Sequence, residues 1–244
     1  MELLNFEAIS NVGKIRTNNE DSYYVPENEN FPLFIVADGI GGHNYGEIAS
    51  KMTVDIVVNQ LKNIDQYNNL KELENDFVKA ISKANKEVLI RSEEDENYSG
   101  MGTTITILYK FDNCVLIGNV GDSRAYAINE SEIRQLTEDD TIVNKLLKLG
   151  EITTNEALNH PNRNVITNAV GTDLMIDISL VQYNYSKGEY ILLCTDGLTD
   201  MVPNEKILEI FNSKNDLSFI KEELLNQALN AGGKDNITFI IIEI

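Results

Sequence analysis

The hydrophobic positions along the chain fall into short runs, then two long helical patterns, then short runs again. Phe6 to Gly13 reads as a first strand, followed by a polar loop from Lys14 to Asp21 that carries the cluster RTNNED. Ser22 to Val25 is strand-like and Pro26 to Pro32 is turn-like. Leu33 to Ala37, LFIVA, is apolar at every position, the pattern of a strand covered on both faces. It ends abruptly in Asp38-Gly39, with Gly41-Gly42 close behind. From Glu47 to Leu61 the residues Ile48, Met52, Ile56, Val57 and Leu61 recur at helical spacing. Leu73, Phe77, Ile81, Ala84 and Val88 do the same over about Leu70 to Ile90. The acidic stretch Glu93 to Glu96, with Gly100 and Gly102, is expected to be a solvated loop.

The period then changes to short strands separated by turn residues: Thr103 to Tyr109, Cys114 to Val120, Arg124 to Ile128 and Glu132 to Leu136. Such short spacing means hairpins, hence an antiparallel sheet. A polar region from Glu138 to Thr172 interrupts it, with a short amphipathic helix (Ile142, Leu146, Leu147, Leu149) ending at Gly150 and another around Asn155 to Leu158. Strands resume at Met175 to Tyr183 and Tyr190 to Cys194. Helices follow at Asn204 to Phe211, with Pro203 suited to its first turn, and at Leu217 to Leu229, closed by Gly232-Gly233. A strand from Ile237 to Ile244 ends the chain.

Strands, two helices, strands, two helices, strand: this order lacks βαβ alternation and argues against a doubly wound parallel sheet. The fold class is α+β, a four-layer α-β-β-α sandwich of two mainly antiparallel sheets with paired helices on both outer faces. With 244 residues and no long linker, residues 1–244 are expected to form one domain.

Composition narrows the function. Hydrophobic residues make up 42%, enough for a substantial core. The formal net charge of −19 argues against nucleic acid as partner, because phosphate neutralisation needs clustered Lys and Arg. It is compatible with a divalent-cation site. No run is long enough to span a bilayer, and the N-terminus lacks the pattern of a signal peptide. Cys114 and Cys194 sit in apolar runs and are read as buried thiols, which fits a reducing cytoplasm. Two cysteines and two histidines argue against a zinc site of the thiolate type.

Alone, Asp-Gly after a strand is ordinary turn chemistry. Here the pattern repeats. Asp38, Asp122 and Asp196 each follow an apolar run, and Asp235 precedes the last one. In antiparallel sheets the end of one strand lies beside the start of its neighbour, so all four can share one rim. Crowded carboxylates need a cation or must take up protons. An oxygen-only set selects hard cations, Mg²⁺ or Mn²⁺, and two such ions about 4 Å apart can activate a water for in-line attack on phosphorus. Arg16 offers the forked cation that a phosphate ester needs, and Glu20 and Asp21 could hold the waters of the metal shell.

The ordered set RTNNED (16–21), VADGIGGH (36–43), GMGTT (100–104), NVGDSR (119–124), HPNRNVITNAVGT (160–172), CTDGL (194–198) and KDNIT (234–238) resembles the metal-dependent serine/threonine protein phosphatases of the type-2C (PPM) family, in their compact bacterial form. The resemblance covers nearly the whole chain. It implies a β-sandwich with helices on both outer faces. It also implies hydrolysis of phosphoserine and phosphothreonine in proteins by a metal-activated water, reversing a cytoplasmic Ser/Thr kinase. Asp38 would bridge two ions, the Gly39 carbonyl would join one, and Asp196 and Asp235 would complete the other. Asp122 and Asp196 would hold a third ion. Arg16 would bind the substrate phosphate, and Glu20 would act through metal-bound water. The insert from about Asp140 to Asn168 matches the family's flap beside the site. A monomer acting on phosphorylated proteins in the cytoplasm is expected.

Two positions depart from the pattern. Animal and plant members carry a His directly after the Asp-Gly; here that residue is Ile40, and His43 lies three further on. Glu138-Asp139-Asp140-Thr141 stands where many bacterial members have His-Ser after the first Asp. A regulatory phosphatase of one anti-sigma-factor-type partner would use the same residues. A catalytically dead binding module has no physical need for the clustered like charges, and a nuclease site is disfavoured by the acidic surface.

Overall fold

The computed structural model describes residues 5–27, 31–41, 45–62, 67, 69–111, 113–213 and 216–244. In chain order the first elements are β1 (Asn5–Asn11), β2 (Ser22–Tyr24), β3 (Leu33–Ala37), β4 (Gly39–Ile40), α1 (Gly46–Leu61) and α2 (Leu70–Glu94). Next come β5 (Gly102–Thr103), β6 (Ile105–Lys110), β7 (Val115–Val120), β8 (Arg124–Ile128), β9 (Ile133–Gln135), α3 (Ile142–Leu149) and α4 (Thr154–Leu158). The chain finishes with β10 (Ser179–Tyr183), β11 (Tyr190–Cys194), α5 (Asp196–Thr199), α6 (Asn204–Phe211), α7 (Leu217–Asn230) and β12 (Ile237–Glu243).

Two antiparallel five-stranded sheets result, ordered β1-β12-β11-β8-β9 and β10-β7-β6-β3-β2, with β4 and β5 as a small separate pair. Period-two alternation sends side chains of one strand into two different cores. From β3, Leu33, Ile35 and Ala37 pack under α1 and α2, whereas Phe34 and Val36 point between the sheets. From β12, Ile237, Phe239 and Ile241 pack under α6 and α7, whereas Ile240 and Ile242 fill the space between the sheets. Three apolar layers therefore separate four layers of backbone, the expected α-β-β-α sandwich. This is why β3 carries apolar residues at every position and β6, β7 and β12 carry them on both faces. Among the described residues, no helix is long and apolar enough to cross a membrane. Both cysteines are buried free thiols.

Some boundaries differ from expectation, each for a local reason. The helix expected to stop near Ile90 continues through Glu93 to Glu94. Arg91 pairs with Glu94 at 2.6 Å one turn on and lies 4.6 Å over the Tyr98 ring, so the start of the acidic stretch is helical rather than loop, while Glu93 to Glu96 stay exposed to solvent as expected. Gly102 belongs to a strand, paired with Ile40. The strand expected from Met175 begins only at Ser179. Before it, Asp177 is diverted into main-chain bonds with the Asn168 amide, leaving Leu174 and Met175 83% and 88% exposed. Pro203 is the N-cap of α6 rather than part of its first turn.

Gly118 of β7 sets how closely α2 approaches the sheet: a Cβ there would lie 2.9 Å from Ile107 Cγ2 and 3.2 Å from Phe77 Cδ2. Gly118→Val is expected to lower stability by about 1–3 kcal/mol through overpacking. Denaturant unfolding measures this, and an unchanged midpoint would contradict the packing described.

Candidate metal centre

Strand direction builds the site. β3 and β7 are both antiparallel to β6, so their C-terminal ends emerge at one edge. In the other sheet Cys194 lies opposite Phe239, so the end of β11 meets the start of β12. Asp38 follows β3, Asp122 follows β7, Asp196 opens α5 after β11, and Asp235 precedes β12. All four expected aspartates thus meet on one rim, where Asp38 feels the other three. Burial, then the charges of Asp21, Asp196, Asp122 and Asp235, hold the Asp38 carboxyl well above the usual carboxylate range. Burial, then Asp196 and Asp139, push Asp122 up to about 8, against the pull of Arg124. Burial, then Asp200 and Asp235, push Asp196 to about 6, against a hydrogen bond with the Asp38 carboxyl and the charge of Arg124.

Backbone contacts fix these carboxylates in place. The strand expected over Thr103 to Tyr109 breaks at Thr104, and the break serves Asp38. The Asp38 N–H donates to Thr104 Oγ1 (2.9 Å), and the Asp38 carbonyl accepts from the Thr104 N–H (2.9 Å) and the Thr103 hydroxyl (2.8 Å). Thr104 Oγ1 also lies 2.7 Å from the hydroxyl of Ser123, the residue after Asp122. The Gly39 N–H donates to the Glu20 carbonyl at 3.1 Å. Glycine is required there by close approach: a Cβ on Gly39 would sit 2.2 Å from the Gly46 carbonyl oxygen, and one on Gly197 1.8 Å from that of Asn236. A Cβ on Gly46 would likewise lie 2.7 Å from the Gly39 carbonyl oxygen, whereas one on Gly41 would make ordinary contact. Gly42 and His43 lie outside the described residues.

The RTNNED loop is fastened to the rim by Asn236. Its amide donates to the carbonyls of Val12 (3.0 Å) and Asn18 (2.9 Å), and its side-chain oxygen accepts from the Glu20 N–H (2.8 Å). This brings Arg16 to the site, 2.8 Å from Asp235 Oδ2 and 3.7 Å from Glu20 Oε2, with its side chain 48% exposed. Glu20 faces the same rim and is raised by burial, with Arg16 opposing. Asp21 is buried beneath the rim, where it accepts from the Thr195 hydroxyl at 3.0 Å. Burial pushes it to about 7; the threonine hydroxyls at 238 and 195 oppose this, and Asp196 and Asp235 reinforce it. Sequence reasoning took Glu47 only as a helix start, yet its Oε2, like Asp21 Oδ1, is buried with no hydrogen-bond partner.

The residues fit a hard cation. The four aspartates with Glu20 and Asp21 offer oxygen alone, two buried carboxylate oxygens are orphaned, and the raised carboxyls hold protons that a cation would displace. Among the described residues, no three Asp, Glu, His or Cys side chains are already closed around one ion-sized point. The carboxylates share the rim without enclosing a point.

Known proteins share this chain's sequence pattern and fold. The model of the protein phosphatase 2C family matches residues 14–231. The chain belongs to the protein phosphatase 2C family. It is 39% identical over 232 residues to the serine/threonine phosphatase stp of Listeria monocytogenes, covering 95% of this chain and 92% of that one. The serine/threonine phosphatase of S. agalactiae has the same fold, with a TM-score of 0.94 at 32% identity, covering 99% of this chain and 100% of that one. The catalytic domain of the phosphatase PstP, solved in complex with 2 manganese ions, overlays with a TM-score of 0.83 at 31% identity, covering 98% of this chain and 97% of that one. As a family member the chain is a metal-dependent serine/threonine phosphatase.

The raised carboxyls make a prediction about the phosphatase without cations. Their folded values of about 6 to 8 lie above the ordinary 3.8, so folding takes up protons. The stability this confers is full below the unfolded value and is lost as pH rises through the folded ones. In chelator, the melting temperature is expected to fall between about pH 5 and pH 8, and Mn²⁺ or Mg²⁺ is expected to restore it by binding the ionised form. Thermal melts across that range check this; a melting temperature that climbs with pH in chelator would contradict it.

Proposed function

We propose that the chain hydrolyses phosphoserine and phosphothreonine in proteins at a centre of two or three Mn²⁺ or Mg²⁺ ions. Asp38, the Gly39 carbonyl, Asp196 and Asp235 would hold two of these ions, and Asp122 with Asp196 would hold a third. Glu20 and Asp21 stand behind them and order the surrounding solvent. The observation that carries this is the meeting of four strand-borne aspartates on one rim with Arg16 beside them. When bound, the ions activate water for in-line attack on phosphorus and neutralise charge on the phosphoryl oxygens.

The protein's own groups do the rest. Arg16 binds two oxygens of the substrate phosphate through its guanidinium fork. Asp235 and Glu20 keep that fork aimed at the rim before substrate arrives. The Thr103 and Thr104 bonds keep the Asp38 main chain still while its carboxylate carries the load. No thiol takes part: Cys194 is buried and pushed to about 12, so it keeps its proton, and Cys114 is raised by burial too. Phosphoryl transfer therefore goes directly to water. The manganese ions in the PstP relative support the choice of cation. The chain acts as a single catalytic domain and a monomer in the cytoplasm, and it removes phosphate placed by a partner Ser/Thr kinase. The segment 140–168 serves as the flap that selects among substrates.

Turnover of a phosphothreonine peptide is expected to require Mn²⁺ or Mg²⁺ and to vanish in EDTA. Asp38→Ala and Asp196→Ala are expected to lose about a hundredfold or more in kcat; turnover surviving these changes would refute the metal roles. Arg16→Ala is expected to raise KM for the phosphopeptide about tenfold or more, and Arg16→Lys is expected to restore little, because an ammonium cannot make the paired contact. Steady-state kinetics in which the lysine variant matches wild type would overturn the fork.

A further inference from the structure

Residues 140–168 lie against the rim without a core of their own. No residue of α3 is buried, although its sequence is strongly amphipathic. What holds the segment is polar and sits at its base. The Asp140 N–H donates to the Gly121 carbonyl at 3.0 Å, and Asp140 Oδ2 accepts from the Gly121 N–H at 3.0 Å, so residue 140 and the turn at 121 are bonded in both directions. The same Oδ2 accepts from Asn168 Nδ2 at 2.7 Å, at the other end of the segment. The Asp140 carbonyl accepts from the N–H (2.7 Å) and hydroxyl (3.0 Å) of Thr167. One bridge, Thr141 to Ile166, lies just inside this base, and Arg163 and Asn164 reach Asp200 at 3.6 and 2.8 Å.

Gly121 is a constrained anchor. It has φ +100°, and a Cβ on it would lie 2.6 Å from the Thr104 side chain. Thr104 holds the Asp38 backbone, and Ser123, bonded to Thr104, follows Asp122 directly. The base of the segment is thus linked through one turn to two of the rim aspartates.

We propose that Asp140 is a positioning residue: its single oxygen clamps both ends of segment 140–168 onto the Gly121-Asp122 turn, so that closure of the segment and placement of the Asp122 carboxylate are one event. The proposal rests on the reading of Asp122 as a cation ligand given above. It assigns a job to Asp140, which stands where many bacterial members of the family have His. The clamp works by accepting two hydrogen bonds, not by charge. An asparagine can put its Oδ1 where Asp140 Oδ2 stands and accept both; an alanine cannot.

The test compares wild type with Asp140→Ala, Asp140→Asn, Asn168→Ala and Asp122→Ala in two measurements on the whole chain. Brief trypsin treatment, read by mass spectrometry, reports opening of the segment through cleavage after Lys145, Lys148 and Arg163. Thermal stabilisation against Mn²⁺ concentration reports cation binding without relying on activity. Asp140→Ala and Asn168→Ala are expected to be cut about tenfold faster at those three sites, because lost bonds to a carboxylate raise the open population. Asp140→Asn is expected to cut like wild type. Asp140→Ala is also expected to shift the Mn²⁺ titration in the same direction as Asp122→Ala, by about tenfold. Wild-type cleavage in Asp140→Ala, or cleavage in Asp140→Asn as fast as in the alanine variant, overturns the clamp. Faster cleavage with an unshifted titration, where Asp122→Ala does shift it, overturns the coupling to Asp122. An Asp122→Ala protein that titrates like wild type refutes Asp122 as a ligand, and the clamp is then decided by cleavage alone. Asn168→Ala decides the cleavage test if Asp140→Ala fails to fold.

Discussion

Mutual repulsion among carboxylates in a poorly hydrated rim is the constraint on which the rest of this structure depends. Asp38, Asp122, Asp196 and Asp235 come from four strand ends, and none could hold its place if the strands beneath could slide. The strands cannot slide, because β3, β7, β11 and β12 carry apolar side chains on both faces and are gripped by two cores at once. A one-residue slip in any of them would exchange the residues of one core for those of another. The sandwich therefore does more than bury surface: it holds like charges together until a cation relieves them.

Around this rim, main-chain contacts take the place of side-chain packing. Thr103 and Thr104 grip Asp38 at its backbone, Asn236 buckles the Arg16 loop down, and Gly39, Gly46 and Gly197 let two chains come within contact of a carbonyl oxygen. Each removes a direction in which repulsion could be released. Asp21 and Glu47 contribute buried oxygens that have no partner within the protein, the pattern expected where solvent or ions complete the shell. Arg16, the cation at Asp235, stays 48% exposed, placed to meet an incoming anion. In the opposite sense the thiols are shut away, so the acidic chain has one kind of chemistry to offer.

Segment 140–168 follows a different physical logic from the body beneath it. Its helices bury little, and its attachment runs through hydrogen bonds to Asp140, Asn168 and Asp200. Elements held in this way open at lower cost than elements gripped by a core. The contrast joins a segment with little core of its own to the strand-gripped rim at Gly121.

The sequence alone determined the architecture and most of the site. Unbroken apolar runs such as Leu33 to Ala37 and Phe239 to Ile242 require strands covered on both faces, and helices arriving in pairs supply the covers. An aspartate at each strand end then follows the rule that antiparallel neighbours share an edge, so Asp38, Asp122, Asp196 and Asp235 could be brought together before any coordinates. What the tertiary structure decided was of another kind. The break at Thr104, the buckle at Asn236, the buried orphan on Glu47 and the clamp at Asp140 join residues distant in sequence through single polar atoms. Hydrophobic periodicity is a property of neighbours along the chain and can be read there. A hydrogen bond between Asp140 and Asn168, or between Asn236 and the carbonyl of Asn18, leaves no periodic trace, because it depends on where the folded sheets bring two loops.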